Sequence, residues 1–100
     1  MIRGTTPTFI FKTESDCTEF DKLDITFAQA DTVILSKGID DVEIRGTEIL
    51  ITLSERETLL FDSDKNPVEI QIRAGIGGKR FASDIMATTA QKILKDGCLT

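Results

Sequence analysis

One stretch decides the fold of this chain, and it reads Val68-Glu69-Ile70-Gln71-Ile72-Arg73-Ala74. Apolar residues alternate in it with charged or amide residues, and a period of two places successive side chains on opposite faces of a strand. The stretch therefore predicts a half-buried β-strand. The same alternation recurs in six further segments: 8–12, 23–29, 32–36, 42–45, 48–53 and 80–89.

The inward faces of these segments supply the predicted core. All six aromatic residues are Phe, and most of them fall on inward faces. Because inward and outward side chains must alternate along a strand, the pattern also assigns the aliphatic residues. Besides the apolar residues of 68–74, the inward residues predicted in the segments after residue 31 are Val33, Leu35, Val42, Ile44, Ile49, Ile51, Leu53, Phe81, Ile85 and Ala87.

Turn and helix signals lie between the segments. Gly46 and the run 75–78 predict tight hairpins, since glycine adopts a positive φ without strain from a Cβ atom. A further turn is indicated at 30–31. Ser54 followed by Glu57 forms the pattern of a capping box, which predicts one short helical turn after the fifth strand.

About seven short strands joined by turns are typical of a sandwich or barrel. The helical turn between the fifth and sixth strands suits a connection that crosses from one sheet to the other. We therefore predict an all-β, immunoglobulin-like antiparallel β-sandwich with one short helical crossover, forming a single domain over residues 1–100. The likeness is architectural, because the chain contains no Trp and no Tyr, which mark antibody domains.

The charge balance argues against nucleic acid as a partner. The chain has 12 Lys and Arg against 17 Asp and Glu, so its net charge is −5 and it would repel a phosphate backbone. No apolar run is long enough for a membrane span, and residues 1–7 lack the apolar core of an export signal. We expect no nucleic-acid partner and no membrane partner. We also expect the protein to stay in the compartment where it is synthesised.

Cys17 and Cys98 are the only cysteines in the chain. Their separation in sequence leaves two states open, because the geometry of a disulfide cannot be judged without coordinates. Two reduced thiols are the expectation for a cytoplasmic chain, and a disulfide that ties the chain ends is the alternative.

No residue pattern in the chain supports catalysis. Without His, the chain lacks the usual general base near neutral pH and every triad that uses it. The run 62–66 resembles the beginning of a calcium loop, but Pro67 stands where Gly is required and Arg73 where Glu is required. The glycines of 75–78 lack the spacing of a phosphate loop. We predict a non-enzymatic protein with no catalytic residue, no cofactor and no metal site.

The hairpin at 75–80 is the predicted partner contact. Ile76 is an apolar residue close to its tip, and an exposed apolar residue on a protruding loop can anchor a partner. The predicted contact residues are Ile76, Gly77 and Lys79. The segment 80–89 is also long and lightly charged in its middle. Because exposed edge strands pair readily, we expect a homo-oligomer as well.

Three stretches of the chain carry a resemblance to known proteins. They are Ile2-Arg3-Gly4-Thr5-Thr6-Pro7-Thr8, Ile51-Thr52-Leu53-Ser54-Glu55-Arg56-Glu57-Thr58, and Ala82-Ser83-Asp84-Ile85 followed by Ile93-Leu94. In these the chain resembles small proteins encoded in phages and prophages of Gram-positive bacteria. Its order of features also resembles the N-terminal sandwich domain of phage baseplate upper proteins.

The resemblance implies an immunoglobulin-like module in a phage tail or baseplate region, an adaptor that docks other phage structural proteins. It carries over no catalytic residue. The expected function is thus that of a non-enzymatic structural or accessory phage protein, located in the bacterial cytoplasm and assembled into the virion. The alternative is a nonvirion assembly factor or regulator that binds a phage or host protein.

Overall fold

The computed structural model describes residues 1–14 and 16–99 of the chain. Eight strands, one α-helix and one 3-10 helix lie within these residues. In chain order they are β1 (Thr8–Lys12), β2 (Lys22–Gln29), β3 (Thr32–Gly38), the 3-10 helix (Ile39–Asp41), β4 (Glu43–Arg45), β5 (Glu48–Thr52), α1 (Glu55–Leu59), β6 (Val68–Ile76), β7 (Lys79–Ala82) and β8 (Met86–Thr88).

The strands form two antiparallel sheets. The smaller sheet has the order β1-β5-β4, and the larger has the order β3-β2-β6-β7, with β8 also paired to β6. Both β7 and β8 lie on the side of β6 opposite β2, because β2 pairs along almost all of β6. The predicted all-β antiparallel fold with two sheets and one short helical crossover is confirmed.

The core lies between the two sheets and follows the alternation of the sequence. In β6, Val68, Ile70, Ile72 and Ala74 are buried, as predicted from the stretch that decides the fold. The Phe27 ring meets those of Phe9 and Phe61 edge to face, with ring centroids 5.8 and 6.0 Å apart. The largest fully buried side chains are Phe27, Phe61, Ile25, Ile49, Ile51, Leu53, Gln29, Val68, Thr58 and Cys17.

The last alternating segment, 80–89, is two strands rather than one. Arg73 pairs with Ala82 and Ile70 pairs with Met86, so the register shifts by one residue between β7 and β8. This is the signature of a β-bulge, which inserts one extra residue and reverses the facing of those beyond it. Ser83 holds the bulge, since its N–H donates to the Ile72 carbonyl at 2.8 Å and its Oγ accepts from the Ile72 N–H at 3.0 Å.

The bulge overturns part of the predicted facing. Met86 packs partly buried against the core, whereas Ile85 is 61% exposed and Ala87 is exposed. The prediction that Ile85 and Ala87 face inward is therefore wrong. A second irregularity lies between Phe27 and Ala28 in the pairing of β2 with β3, and the prediction for Val33 is wrong for the same reason.

Helix α1 begins where the capping box predicts. The Ser54 N–H donates to Glu57 Oε1 at 2.9 Å, and the Glu57 N–H donates to Ser54 Oγ at 3.2 Å. Two backbone donors that have no partner within the helix are thereby satisfied. The predicted helical turn is confirmed, and α1 connects β5 of the smaller sheet to β6 of the larger one.

The two cysteines are not joined by a disulfide. Cys17 is fully buried, and its Sγ lies 3.1 Å from the Thr13 hydroxyl, while Cys98 is exposed. The expectation of two thiols therefore agrees with the structure. In the described ranges no helix combines the length and the apolar character that crossing a membrane requires.

Candidate functional site

The inner face of the larger sheet is uncovered where it reaches β7. Phe81 pairs with Ala74 across the β6–β7 hairpin and so projects from the same face as the buried core residues. Its side chain is nevertheless 49% exposed. The apolar face of the larger sheet therefore continues beyond the part that the smaller sheet covers.

An open apolar groove results at this end of the sandwich. We call it the terminal groove and define it by Phe20, Ile49, Ile72, Ile76 and Phe81. Its volume is about 290 Å³. The remaining lining residues are Thr13, Glu14, Ala74, Ala82 and Ser83. Both sheets contribute to it, because Ile49 belongs to β5 and the residues of β6 and β7 belong to the larger sheet.

Backbone hydrogen bonds fix the loop that supplies Phe20. The Phe20 N–H donates to the Cys17 carbonyl at 3.2 Å, and the Cys17 N–H donates to the Gly46 carbonyl at 2.8 Å. This attaches the loop to the turn between β4 and β5. Residue Asp21 attaches the same loop to β6, as its N–H donates to the Gly75 carbonyl at 2.9 Å. The wall formed by Phe20 is therefore held from both sheets.

The β6–β7 hairpin turns through Gly77 and Gly78, as the sequence predicts. Gly77 has a φ of +58°, a value that costs a residue with a Cβ atom conformational energy. Its N–H donates to the Asp21 carboxylate at 3.2 Å. The hairpin is therefore anchored at its tip to the loop that carries Phe20, so the groove is shaped before any partner arrives.

The three predicted contact residues occupy different places around this hairpin. Ile76 is half-buried and forms a wall of the terminal groove, so it is not an exposed residue at the tip as the sequence indicated. Gly77 lies at the tip, and Lys79 is exposed at the beginning of β7. Of the three, the structure brings only Ile76 into the groove.

Sequence reasoning missed Phe20 and Phe81 as groove residues, because it assigned the phenylalanines to the core. A signal was present for Phe81. Its strand carries Lys79 and Arg80, and cations are typical of an exposed sheet edge, where an inward side chain has no covering layer. No such signal distinguishes Phe20, whose position depends on the loop that follows Cys17.

A second cavity lies on the opposite, outer face of the same hairpin. Lys22 and Arg80 are the two cross-strand neighbours of Gly75, and Arg73 is two residues away on the same face. These three cations and Asp24 line a cavity of about 230 Å³, which we call the outer basic cavity. The sheet at β7 therefore has the apolar terminal groove on its inner face and the outer basic cavity on its outer face.

The two carboxylates with shifted pKa values, Asp16 and Glu57, line neither cavity. The N–H and hydroxyl of Thr18 donate to Asp16 and lower the pKa of its carboxyl. Partial burial acts to raise the pKa of Glu57, but hydrogen bonds from Lys37 and Ser54, with the charge of Lys37, outweigh it and lower that pKa. Both shifts follow from local structural hydrogen bonds.

Side-chain oxygens of the acidic run 62–66 accept hydrogen bonds from backbone N–H groups. Asp62 Oδ1 accepts from the Asp64 N–H at 2.8 Å, and Asn66 Oδ1 accepts from the Ala90 N–H at 2.7 Å. Across residues 1–14 and 16–99, no three or more His, Cys, Asp or Glu side chains are grouped so that they could hold a metal ion. The terminal groove can contact apolar side chains, and the outer basic cavity beside it can contact negatively charged groups.

Comparison of the chain with known proteins extends this description no further. No protein-family model, curated protein or solved structure matches it.

Proposed function

We propose that this chain is a non-enzymatic protein-binding module and that its partner docks in the terminal groove. The observation that carries the proposal is Phe81, which stands on the core face of the larger sheet and remains 49% exposed. An aromatic side chain beside an open apolar groove is typical of the anchor points that dominate binding energy in protein interfaces.

The size and rigidity of the groove suit this role. A volume of about 290 Å³ accommodates apolar side chains of a partner but is at the small end for a drug-sized ligand. Burial of apolar surface contributes about 25 cal/mol per Å². Because hydrogen bonds through Asp21 and Cys17 already fix the groove walls, little ordering cost opposes that gain.

The resemblance to phage and prophage proteins supports a setting for this binding. We propose that the chain is a structural or accessory protein of a phage tail or baseplate region, where it is an adaptor between other phage structural proteins. Its two-sheet fold with an open end is compatible with a module inserted between larger components. The alternative setting is a nonvirion assembly factor, which would use the same groove for a transient partner.

The groove can be tested by substitution of Phe81 with a charged residue. We expect Phe81→Asp to abolish capture of a protein that wild type retains from cells producing the phage, because a carboxylate in the groove must be desolvated. Ile85→Asp is the matched control, since Ile85 is 61% exposed and lies outside the groove. Equal capture by wild type and both variants would contradict the proposal.

The phage setting has its own test. Purified virions analysed by mass spectrometry should contain the chain if it is a structural component. Its presence in producing cells together with complete absence from virions would support the nonvirion alternative. Neither result bears on whether the terminal groove binds the partner, which the Phe81 and Ile85 variants decide.

A further inference from the structure

We propose that the partner binds as an added β-strand along the open side of β7. In this strand apolar side chains, which enter the terminal groove, alternate with acidic side chains, which meet the outer basic cavity. The proposal rests on the proposed function, because it assigns a chemistry to the partner of the same groove. It follows from three features of β7: its free edge, its two unlike faces and its surrounding charge.

The order of strands in the larger sheet leaves one edge of β7 free. β7 is the outermost strand of the larger sheet, all four of its residues are exposed, and no strand among the described residues pairs with its open side. A two-residue hairpin closes on a hydrogen-bonded pair, here Ile76 and Lys79. The backbone N–H and C=O groups of Arg80 and Ala82 therefore point away from β6 and can pair with another strand.

The two faces of β7 set what an added strand must carry. On the inner face, its side chains would lie beside Phe81 and enter the terminal groove. On the outer face, they would lie beside Arg80 and Ala82. Ala82 is small and is the cross-strand neighbour of Arg73, so a side chain next to Ala82 can reach the Arg73 guanidinium.

The charge around β7 identifies the outer side chains as acidic. Lys22, Arg73 and Arg80 form no ion pair with any other described residue. Two carboxylates are near them, and both already accept hydrogen bonds from the protein. Asp21 accepts from Gly77, and Asp24 accepts from Thr26 and Ser36. The lining of the outer basic cavity thus has three cations and one carboxylate, an excess of positive charge in a chain of net charge −5.

The Arg80 side chain folds back over Gly75 on the outer face. A Cβ atom built on Gly75 would lie 2.7 Å from Arg80 Nη1, so the guanidinium lies directly over Gly75 on the outer face. Arg80 Nη1 also donates to the carbonyls of Gly77 and Lys79, at 3.2 and 3.0 Å. The guanidinium therefore lies over β6 in the outer basic cavity, one strand in from the free edge.

The same cations argue against a second copy of the chain as the occupant. Two copies paired through β7 would bring Arg73 and Arg80 of one protomer close to those of the other, and like charges on neighbouring strands are destabilising. Short, cationic edge strands are a common means by which proteins prevent such pairing. Acidic side chains on an added strand would instead be attracted to Arg73 and Arg80. A partner strand with acidic side chains is therefore favoured over a second copy of the chain.

A pair of synthetic peptides tests the proposal directly. Each has about eight residues, a usual strand length, and alternates Val or Ile with Glu in one peptide and with Lys in the other. In titrations followed by NMR, we expect the Glu peptide to bind and to protect the Arg80 and Ala82 amides from hydrogen exchange. The Lys peptide should bind about tenfold more weakly, since two or three lost charge pairs amount to about 1.4 kcal/mol.

Two variants separate strand addition from other modes of binding. Ala82→Pro removes an N–H on the open side and should abolish binding of the Glu peptide, whereas Ala82→Ser keeps that N–H and should bind like wild type. The double variant with Arg73→Glu and Arg80→Glu should reverse the preference, so that the Lys peptide binds more tightly. Amide spectra of each variant report whether the fold is retained. If the double variant with Glu loses the fold, the double variant with Arg73→Gln and Arg80→Gln takes its place. We then expect the Glu and Lys peptides to bind equally.

Three outcomes would overturn the proposal. One is equal binding of the Glu and Lys peptides to wild type, and another is full binding by Ala82→Pro. The third is a wild-type mass of two chains in solution that Arg80→Glu or Ala82→Pro reduces to one, because the edge would then be occupied by a second copy. A natural partner that depends on Phe81 but not on Ala82 or Arg80 would leave the proposed function standing and remove only the strand addition.

Discussion

The larger sheet has two edges, and they differ in what covers them. At the β3 edge, Lys37 forms an ion pair with Glu57 of α1, and both side chains are about one-fifth exposed. We call this the covered edge. At the β7 edge, Phe81 stays 49% exposed, and no strand among the described residues lies beyond β7. The crossover helix thus covers one end of the inner face and leaves the other end available for binding.

Buried hydrogen bonds also act beside the covered edge, at the end of β2 that pairs with β3. Gln29, at the end of β2, is 1% exposed, and its amide both donates to and accepts from the backbone of Asp62, each at 2.8 Å. Arg3 donates to the carbonyls of Leu59 and Phe61, at 3.0 and 2.6 Å, and so satisfies backbone acceptors at the end of α1. The chain after α1 is therefore attached to β2 and to the N-terminal segment.

The largest difference between the edges should appear when a buried amide is removed. We expect Gln29→Leu to destabilise the protein by about 2–3 kcal/mol, because the N–H and C=O of Asp62 both lose their partner. Gln71→Leu is the matched control near the open edge. Gln71 is half-buried and donates one bond, to the Ser83 carbonyl at 3.0 Å, so its loss should cost about 1 kcal/mol or less.

Urea denaturation measures both variants, with comparison of midpoints at an unchanged slope. An equal loss of stability in the two variants would show that the covered edge is not the more strongly held one.

A pH-dependent difference should follow from the ion pair of the covered edge. Glu57→Gln keeps an oxygen to accept from the Ser54 N–H but loses the charge that faces Lys37. We expect a loss of about 0.5–1 kcal/mol near neutral pH. Because the pKa of Glu57 is lowered in the folded chain, its stabilisation is present above the unfolded pKa and is lost as pH falls through the folded value.

The stabilities of wild type and Glu57→Gln should therefore converge at acid pH in denaturant titrations. Glu69→Gln is the matched control for removal of one charge from a half-buried position. A difference between wild type and Glu57→Gln that stays constant down to acid pH would contradict the assignment.

Effects no larger than those of Glu57→Gln should come from the turns that close the two edge hairpins. At the covered edge, Ala30 and Asp31 have φ values of +48° and +62°, while at the open edge Gly77 has +58°. We expect Ala30→Gly to stabilise the protein by about 0.5 kcal/mol and Gly77→Ala to destabilise it by about 1 kcal/mol, since only glycine adopts this region without strain.

A Cβ atom on Gly77 would meet nothing within 4 Å, so its cost would arise from the backbone alone. Melting temperatures compare the two variants. A stabilising Gly77→Ala would contradict the interpretation of both turns.

The sequence predicted the elements more accurately than their facing. The alternation in β6 and the capping box at Ser54 both appear in the structure, because each depends on neighbours a few residues away. The facing of Ile85 and Ala87 was predicted wrongly. Met86, an apolar residue on the face predicted to be polar, is a sign of irregularity in the sequence, but it does not show where the extra residue lies, which the hydrogen bonds between Ser83 and Ile72 fix.

The candidate site was predicted only in part. Ile76 was identified from its hairpin, but its place in a groove with Phe20 and Ile49 depends on three segments far apart in the chain. The outer basic cavity combines Lys22 with Arg73 and Arg80 through strand pairing that the sequence leaves open. Such sets of residues become neighbours only when the strand order is known.

By itself, the sequence determined that this chain forms β-strands with one apolar face, tight glycine turns and one capped helical turn. These features follow from side-chain periodicity and local backbone chemistry, which act over a few residues. The tertiary structure alone decided which part of the apolar face is covered. That outcome depends on the order of strands and the path of α1, so it determines that Phe27 is buried in the core while Phe81 stands at an open edge.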